Sequence, residues 1–345
     1  MNSNDKKKVV RSWIEQFVHD FVEQLSKPTK DSVNVALKRR KHNSWNGSLD
    51  SKANERQKVK VFSFPRNETT IAQLFRVLDC VHEAVISDTV ITKRDIYYRD
   101  VDLFKRQTVV DELLGDISNT IGCSRSDLNV EASAKGLVFG SIHIALENGT
   151  VITATKPLLI SHHRISSITS TAKWVLVIEK EAVFQTLTEE ALADTIIVTA
   201  KGFPDLMTRK FLVKLAKALP DAKFFGIFDW DPHGLCIYSC FKYGSNAYSH
   251  EPHSQLRNLQ LLGPLYEDIF NKNQEFSLKL NKRDIKMITT LLQFEGFQKE
   301  PVVREQLQRM LFIQKKAEIQ AILEFPSWIK GKLADADKSG KHSVR

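Results

Sequence analysis

No run of about 18 apolar residues occurs in this chain of 345 residues, so it offers no conventional membrane-spanning helix. Its N-terminus, Met1-Asn2-Ser3-Asn4-Asp5 and then three lysines, lacks the apolar stretch of a secretory signal. Cysteine is scarce. Cys80, Cys123, Cys236 and Cys240 have neither the density of a disulfide framework nor a Cys-x-x-Cys spacing, which fits a reducing compartment. Cys236 and Cys240, one helical turn apart, read as buried thiols ahead of a shared metal. No G-x-x-x-x-G-K-[ST] motif or other nucleotide-binding signature is present, so any step driven by ATP needs a second chain. The expectation is a soluble intracellular protein with no membrane partner.

The net charge of +9 suggests an acidic partner such as nucleic acid, but it is unevenly spread. Residues 1–66 hold 15 Lys/Arg against 7 Asp/Glu, leaving 35 against 34 for the remainder. A DNA groove in the folded body therefore depends on local clustering. Lys93-Arg94, Arg99, Lys105-Arg106 and Lys135 supply such a cluster, which a merely solvated face would also explain.

With 42% apolar residues, the chain is expected to form two packed domains with additions at both ends. Residues 1–64 read as an amphipathic helix over 11–25 followed by a flexible basic segment to about Lys60, then a short strand from Lys58 to Phe64. Residues 65–153 predict helices near 68–85, 92–98 and 103–121, the first capped from Asn67. Strands follow at Leu128 to Ala132, Leu137 to Leu146 and Thr150 to Thr153, with Asn148-Gly149 as a hairpin turn. Three helices before a small antiparallel sheet is the pattern of a winged helix. Residues 154–171 read as a linker, and His162-His163 within it as a loop pair. Residues 172–330 alternate strand and helix: Trp174 to Ile178, Thr195 to Thr199 and Phe224 to Phe228 are short apolar runs suited to parallel strands buried on both faces. The fold class is α/β: a winged-helix domain, a doubly wound parallel-sheet domain, and helical C-terminal additions before a frayed tail at 331–345.

In an open parallel sheet the working residues gather beyond the carboxyl ends of the strands. Glu179 follows the first strand, and Asp229-Trp230-Asp231-Pro232-His233-Gly234 follows the third. Asp229 and Asp231 point the same way in extended backbone, and crowded carboxylates repel unless a cation neutralises them. Hard oxygen donors of this kind suit Mg²⁺, which needs few carboxylates. The bland alternative is that Asp231 only caps the helix begun by Pro232. Gly234 is placed to let a phosphate approach the backbone.

These residues resemble the Toprim metal site of topoisomerases, primases and related nucleases. Together with Thr92-Lys93-Arg94-Asp95-Ile96-Tyr97-Tyr98 and the loop Lys201-Gly202-Phe203-Pro204-Asp205, they resemble the meiotic double-strand-break transesterases, eukaryotic relatives of the A chain of topoisomerase VI. The resemblance covers roughly residues 65–325 and extends to fungal members. It implies a winged-helix domain of the 5Y-CAP type, a Toprim domain, and a reaction in which Tyr98 displaces a 3′ hydroxyl and stays joined to the 5′ phosphate. Tyr97 then packs or supports. A phenol titrates near 10 and needs help to attack at neutral pH; Arg94, one turn earlier, is placed to stabilise it or to hold the phosphate. Magnesium on Glu179, Asp229 and Asp231 would offset charge in the transition state. Lys93, Lys135, Lys201 and Phe203 are candidate DNA contacts, although a simple turn would explain the last two equally well.

The resemblance further implies double-stranded DNA as partner, an active homodimer in which the tyrosine of one protomer meets the metal site of the other, and a topoisomerase VI B-like transducer. Gln308, Arg309 and Phe312 match a Gln-Arg-x-x-Phe segment by which fungal members bind a WD-repeat accessory protein; the same stretch would serve as a plain amphipathic helix. The implied place of action is the nucleus, on meiotic chromosomes, where the breaks initiate homologous recombination. The alternatives are a topoisomerase VI A chain working in strand passage, or a DNA-binding relative without activity.

Overall fold

The computed structural model describes residues 3–27, 32–39, 59–131, 134–161, 165–190, 192–244, 254–270 and 277–341. They divide into two compact units, one ending at Ser133 and one beginning at Ala134.

The first unit opens with α1 (Ser3–Leu25), which starts earlier than its apolar spacing requires and buries Val10, Ile14 and Phe21. Strands β1 (Val33–Lys38) and β2 (Val59–Phe64) pair antiparallel. Strand β1 corrects the expectation of a flexible basic segment from Ser26 to about Lys60 at residues 33–38; residues 28–31 and 40–58 of that segment lie outside the described residues. The alternation Val33-Asn34-Val35-Ala36-Leu37-Lys38 gives β1 a buried face of Val33, Val35 and Leu37. Arg40 and Lys41 lie outside the described residues. Helix α2 (Glu68–Ile86) turns Ile71, Leu74, Leu78 and Val81 inward. Asn67 does not cap it with its side chain; Oδ1 accepts from the Ser63 amide at 2.9 Å and ties the helix to β2. A parallel pair, β3 (Ile91–Thr92) and β4 (Val130–Glu131), brackets α3 (Lys93–Arg99), α4 (Val101–Phe104) and α5 (Gln107–Ile121). The helix expected from Leu103 to Ile121 is thus broken, at Lys105, whose φ is +61°. One core containing Ile14, Leu37, Leu74, Ile96 and Leu114 joins these elements.

The second unit begins with β5 (Leu137–Gly140), β6 (Ile142–Leu146), β7 (Val151–Thr153), β8 (Leu158–Leu159) and β9 (Ile165–Ser170). The single strand expected from Leu137 to Leu146 is two, separated at Gly140. There φ is +134° and a Cβ would meet the Thr195 carbonyl oxygen at 2.5 Å. Of the strands expected to complete a winged helix after α5, the one at Leu128 to Ala132 is β4 of the first unit, and those between 137 and 153 belong to the second. The hairpin turn at Asn148-Gly149 is present, with Gly149 at φ +83° and Asn148 Oδ1 accepting from Thr150 N at 3.1 Å. The stretch read as a linker contains β8 and β9; β9 buries Ile168, pairs with β6 and turns Ser166, Ser167 and Thr169 outward. His162 and His163 lie outside the described residues.

The main sheet then builds through β10 (Trp174–Ile178), α6 (Glu181–Glu189), β11 (Thr195–Thr199), α7 (Leu206–Ala218), β12 (Lys223–Ile227), α8 (Pro232–Lys242) and β13 (Leu259–Gly263). Strand order is β13-β12-β10-β11-β5-β8; the first four run parallel and the last two are antiparallel additions at one edge. Every residue of β10 is buried. Val175 and Val177 enter the core on one face, Trp174, Leu176 and Ile178 the core on the other, so the sheet is covered on both sides. The chain continues through α9 (Tyr266–Phe270), β14 (Ser277–Lys279), α10 (Lys282–Gln293), α11 (Glu295–Gln298), α12 (Pro301–Ile313), β15 (Lys315–Ala317) and α13 (Phe325–Lys341). The expected frayed tail from Gly331 is helical through Lys341, anchored by buried Ile329 and Leu333. Among the described residues no helix is long and apolar enough to cross a membrane.

Candidate active site

Strand β10 lies between β11 and β12, where successive crossovers go to opposite sides. That arrangement opens a crevice beyond the carboxyl ends of the strands. Ile178 and Ile227, the last residues of β10 and β12, are register partners, so Glu179 and the Phe228-Asp229 step leave adjacent strands together. Asp229 N donates to Glu179 Oε2 at 2.9 Å, and both side chains are buried. Asp229 Oδ1 accepts from Ile319 N at 2.9 Å, and its Oδ2 lies 3.0 Å from the Lys180 ammonium. Burial, and then the charge of Asp229, push the Glu179 carboxyl well above the usual carboxylate range. Burial also raises Asp229 and Asp231, against the hydrogen bonds from Ile319 and Gly234.

Asp231 does cap α8: Oδ1 accepts from Gly234 N at 2.6 Å, with Pro232 at the first helical position. Its charge still raises Glu179. Gly234 serves this turn, since a Cβ there would lie 2.3 Å from the Asp229 carbonyl oxygen; backbone fills the space that the sequence suggests for a phosphate. A buried pair of hard oxygen donors with an ammonium already on one oxygen fits a divalent cation, and Mg²⁺ asks for only one or two carboxylates. Among the described residues, the three ligand atoms that close to within 4.8 Å of one another are instead those of exposed His19, Asp20 and Glu23 on α1. Sequence reasoning missed Lys180, although it directly follows Glu179. It also missed buried Asp284, which pairs with Lys316 at 2.8 Å and whose charge acts on Asp231.

The loop after β11 is tied to the same strand end, with Gly202 N donating to the Glu179 carbonyl at 2.8 Å. Lys135 Nζ donates to the Phe203 carbonyl at 2.7 Å, Lys201 pairs with Glu181 at 2.8 Å, and the Phe203 side chain is exposed. Three of the predicted DNA contacts are thus brought to one corner of the carboxyl edge.

In the first unit, Thr92 and Asp95 form a reciprocal cap that starts α3. Ile96 is buried and Tyr97 packs on the core, which turns Tyr98 outward at 68% exposure. Arg94, four residues earlier, is exposed on the same helix. Lys93 reaches Asp111 at 3.1 Å, as does Arg125 at 3.0 Å. Burial works to raise the Asp111 carboxyl, but Arg125 and Lys93 overcome it and hold the group at about 2. Lys93 is thereby committed to an ion pair. On α12, Gln308 is exposed, Phe312 is 89% exposed, and Arg309 stacks over Tyr266 at 4.6 Å while pairing with Glu267 and Glu305.

Residues 69–130, which include α3 and its tyrosines, match the family described as type IIB DNA topoisomerase. Residues 174–329, which carry the acidic site, match the Toprim domain of the topoisomerase 6 A-chain/Spo11 family. Both matched segments thus belong to domains of the type IIB topoisomerase class. The human meiotic recombination protein SPO11 is 34% identical over 77% of this chain and 70% of its own length. The A chain of Arabidopsis thaliana DNA topoisomerase 6 is 35% identical over 75% of this chain and 62% of its own. The mouse SPO11 protein is 32% identical over 75% and 68%. The chain belongs to the topoisomerase 6 A-chain/Spo11 family.

Proposed function

We propose that this chain is a topoisomerase-like DNA transesterase that makes meiotic double-strand breaks and remains linked to the 5′ ends through Tyr98. One observation carries the reading: within the segment matching type IIB topoisomerases, Tyr98 stands exposed beside exposed Arg94 while Tyr97 packs on the core. The Tyr98 phenol gives up its proton to water as its oxygen attacks phosphorus; the bond to the 3′ oxygen breaks, and that oxygen takes a proton from water and leaves as a hydroxyl. The phosphodiester is exchanged for a phosphotyrosyl ester, so the break is reversible in principle. Arg94 holds the scissile phosphate and favours the phenolate. Glu179 and Asp229, with Asp231 at their side, would hold Mg²⁺. When bound there the ion supplies positive charge against the phosphate oxygens.

The part of the first unit from residue 65 to 133 carries the DNA-cutting tyrosine, and residues 172–330 of the second carry the metal-binding role. Lys135, Lys201 and Phe203 grip DNA at the carboxyl edge, and Lys93, in the first unit, contacts DNA when a phosphate replaces Asp111 as its partner; the affinity is salt-sensitive and largely sequence-independent. The active form is a homodimer on nuclear chromosomes, each Tyr98 facing the acids of the other protomer. A topoisomerase VI B-like chain brings ATP, and Gln308, Arg309 and Phe312 present a docking point for a WD-repeat protein. A second reading, an A chain in ATP-driven strand passage, is favoured by the likeness to the Arabidopsis topoisomerase. Relaxation of supercoiled DNA with a B-type partner and ATP would select it.

The proposal is tested by incubating the protein with duplex DNA and Mg²⁺, denaturing, and recovering protein joined to DNA. Wild type and Tyr97→Phe give the adduct and Tyr98→Phe does not; an adduct that survives Tyr98→Phe overturns the assignment.

A further inference from the structure

We infer that Lys180 is the resident counter-cation of the acidic site, holding Asp229 in the place of a divalent ion and thereby setting how tightly that ion binds. The inference rests on the reading of Glu179 and Asp229 as metal ligands. A lysine that follows a strand end ordinarily extends its ammonium into water. Lys180 turns inward: Nζ lies 3.0 Å from Asp229 Oδ2, 2.8 Å from Glu318 Oε2 and 2.9 Å from Gln320 Oε1. Its side chain is 24% exposed and that of Asp229 only 8%, so this pair is poorly screened.

The Ile319 amide holds Asp229 Oδ1, which leaves Oδ2 as the oxygen for which an ammonium and a metal ion compete. Glu318 and Gln320 flank Ile319 on the segment between β15 and α13. They give the ammonium two acceptors to keep when the third is surrendered. A metal arriving at Asp229 thus displaces a charge by a short step and does not expel it to solvent.

Titration calorimetry with Mg²⁺ alone, on the full chain without DNA, tests this. Lys180→Met and Lys180→Gln should each bind Mg²⁺ roughly tenfold or more tightly than wild type, because a unit positive charge beside the ligand oxygen is gone. The glutamine variant keeps a donor for Glu318 and Gln320 and guards against misfolding of the methionine variant. Lys180→Arg should keep the wild-type affinity. Glu318→Gln should weaken binding, since the ammonium then rests on Asp229 with less competition. A lysine acting only as a strut between strand and segment gives weaker or unchanged binding in Lys180→Met, Lys180→Gln and Glu318→Gln alike, and that result overturns the inference. Binding by wild type that Asp229→Asn abolishes, without tightening in the two uncharged Lys180 variants, removes the inference but leaves the metal site. No Mg²⁺ binding by wild type removes both.

Discussion

The backbone amide of Asp229 donates to the carboxylate of Glu179 at 2.9 Å, joining the ends of β12 and β10 across 50 positions of sequence. The bond fixes one carboxylate directly beside the residue that supplies the other. The two acids are held together by the fold against their mutual repulsion, an arrangement that costs stability.

Glu179→Gln should expose that cost. Glutamine can still accept from Asp229 N but carries no charge. In the absence of metal, the second unit of the variant should melt about 2–4 °C higher than that of wild type, the effect of roughly 1 kcal/mol in a folding unit of about 200 residues. Added Mg²⁺ should raise the melting temperature of wild type and leave the variant unmoved. Thermal denaturation with and without Mg²⁺ reads both.

Gly234→Ala tests the turn that presents Asp229 and Asp231. The added Cβ would meet the Asp229 carbonyl oxygen at 2.3 Å, and this is backbone that cannot swing aside. A loss of about 2–3 kcal/mol is expected in denaturant titration, as in other overpacked sites, together with a weakened response to Mg²⁺. A variant of unchanged stability would show that the start of α8 is not held as described.

Tyr98→Phe should be nearly silent in stability. Its phenol is exposed and makes no hydrogen bond among the described residues. The change should stay within about 0.5 kcal/mol, as for most exposed substitutions, while the DNA adduct disappears. Chemical denaturation beside the adduct assay separates loss of the nucleophile from loss of the fold.

Asp111 gives the first unit an acid-sensitive clasp. Its carboxyl is held at about 2 in the folded chain, below its ordinary value near 4. The ion pairs with Arg125 and Lys93 therefore contribute fully above about pH 4, and the contribution is lost as pH falls towards 2. After discounting for partial exposure, about 1–2 kcal/mol is at stake. Asp111→Asn should destabilise the protein at neutral pH and flatten the decline in stability between pH 4 and 2, measured by denaturant unfolding across that range.

Much of the second unit was legible because its strands are short apolar runs buried on both faces. Trp174 to Ile178 and Thr195 to Thr199 appear where the composition places them, and Glu179 and Asp229 follow from where those runs stop. The helix start at Thr92 was legible for a local reason, the spacing of Thr92 and Asp95. Less could be read where partners are distant. β1 hides beside a basic run, and its alternation gains meaning only once β2 is opposite it. The strand through Gly140 reads as continuous until the Thr195 carbonyl forces the turn. Lys180 carries no signal in its own neighbourhood, because its acceptors Glu318 and Gln320 lie more than a hundred positions away.

The central claim is that Tyr98 of one protomer and the acids of the other work on a single phosphodiester, and mixing two inactive variants tests it most directly. Tyr98→Phe and Asp229→Asn proteins, each alone, should leave a supercoiled plasmid intact in the presence of Mg²⁺ and any activating partner. Mixed dimers hold one complete composite site, formed by the tyrosine of the Asp229→Asn chain and the acids of the Tyr98→Phe chain. The mixture should therefore yield nicked circles with protein joined to one strand and no linear product. Intact plasmid from the mixture, under conditions where wild type cuts, would contradict the account.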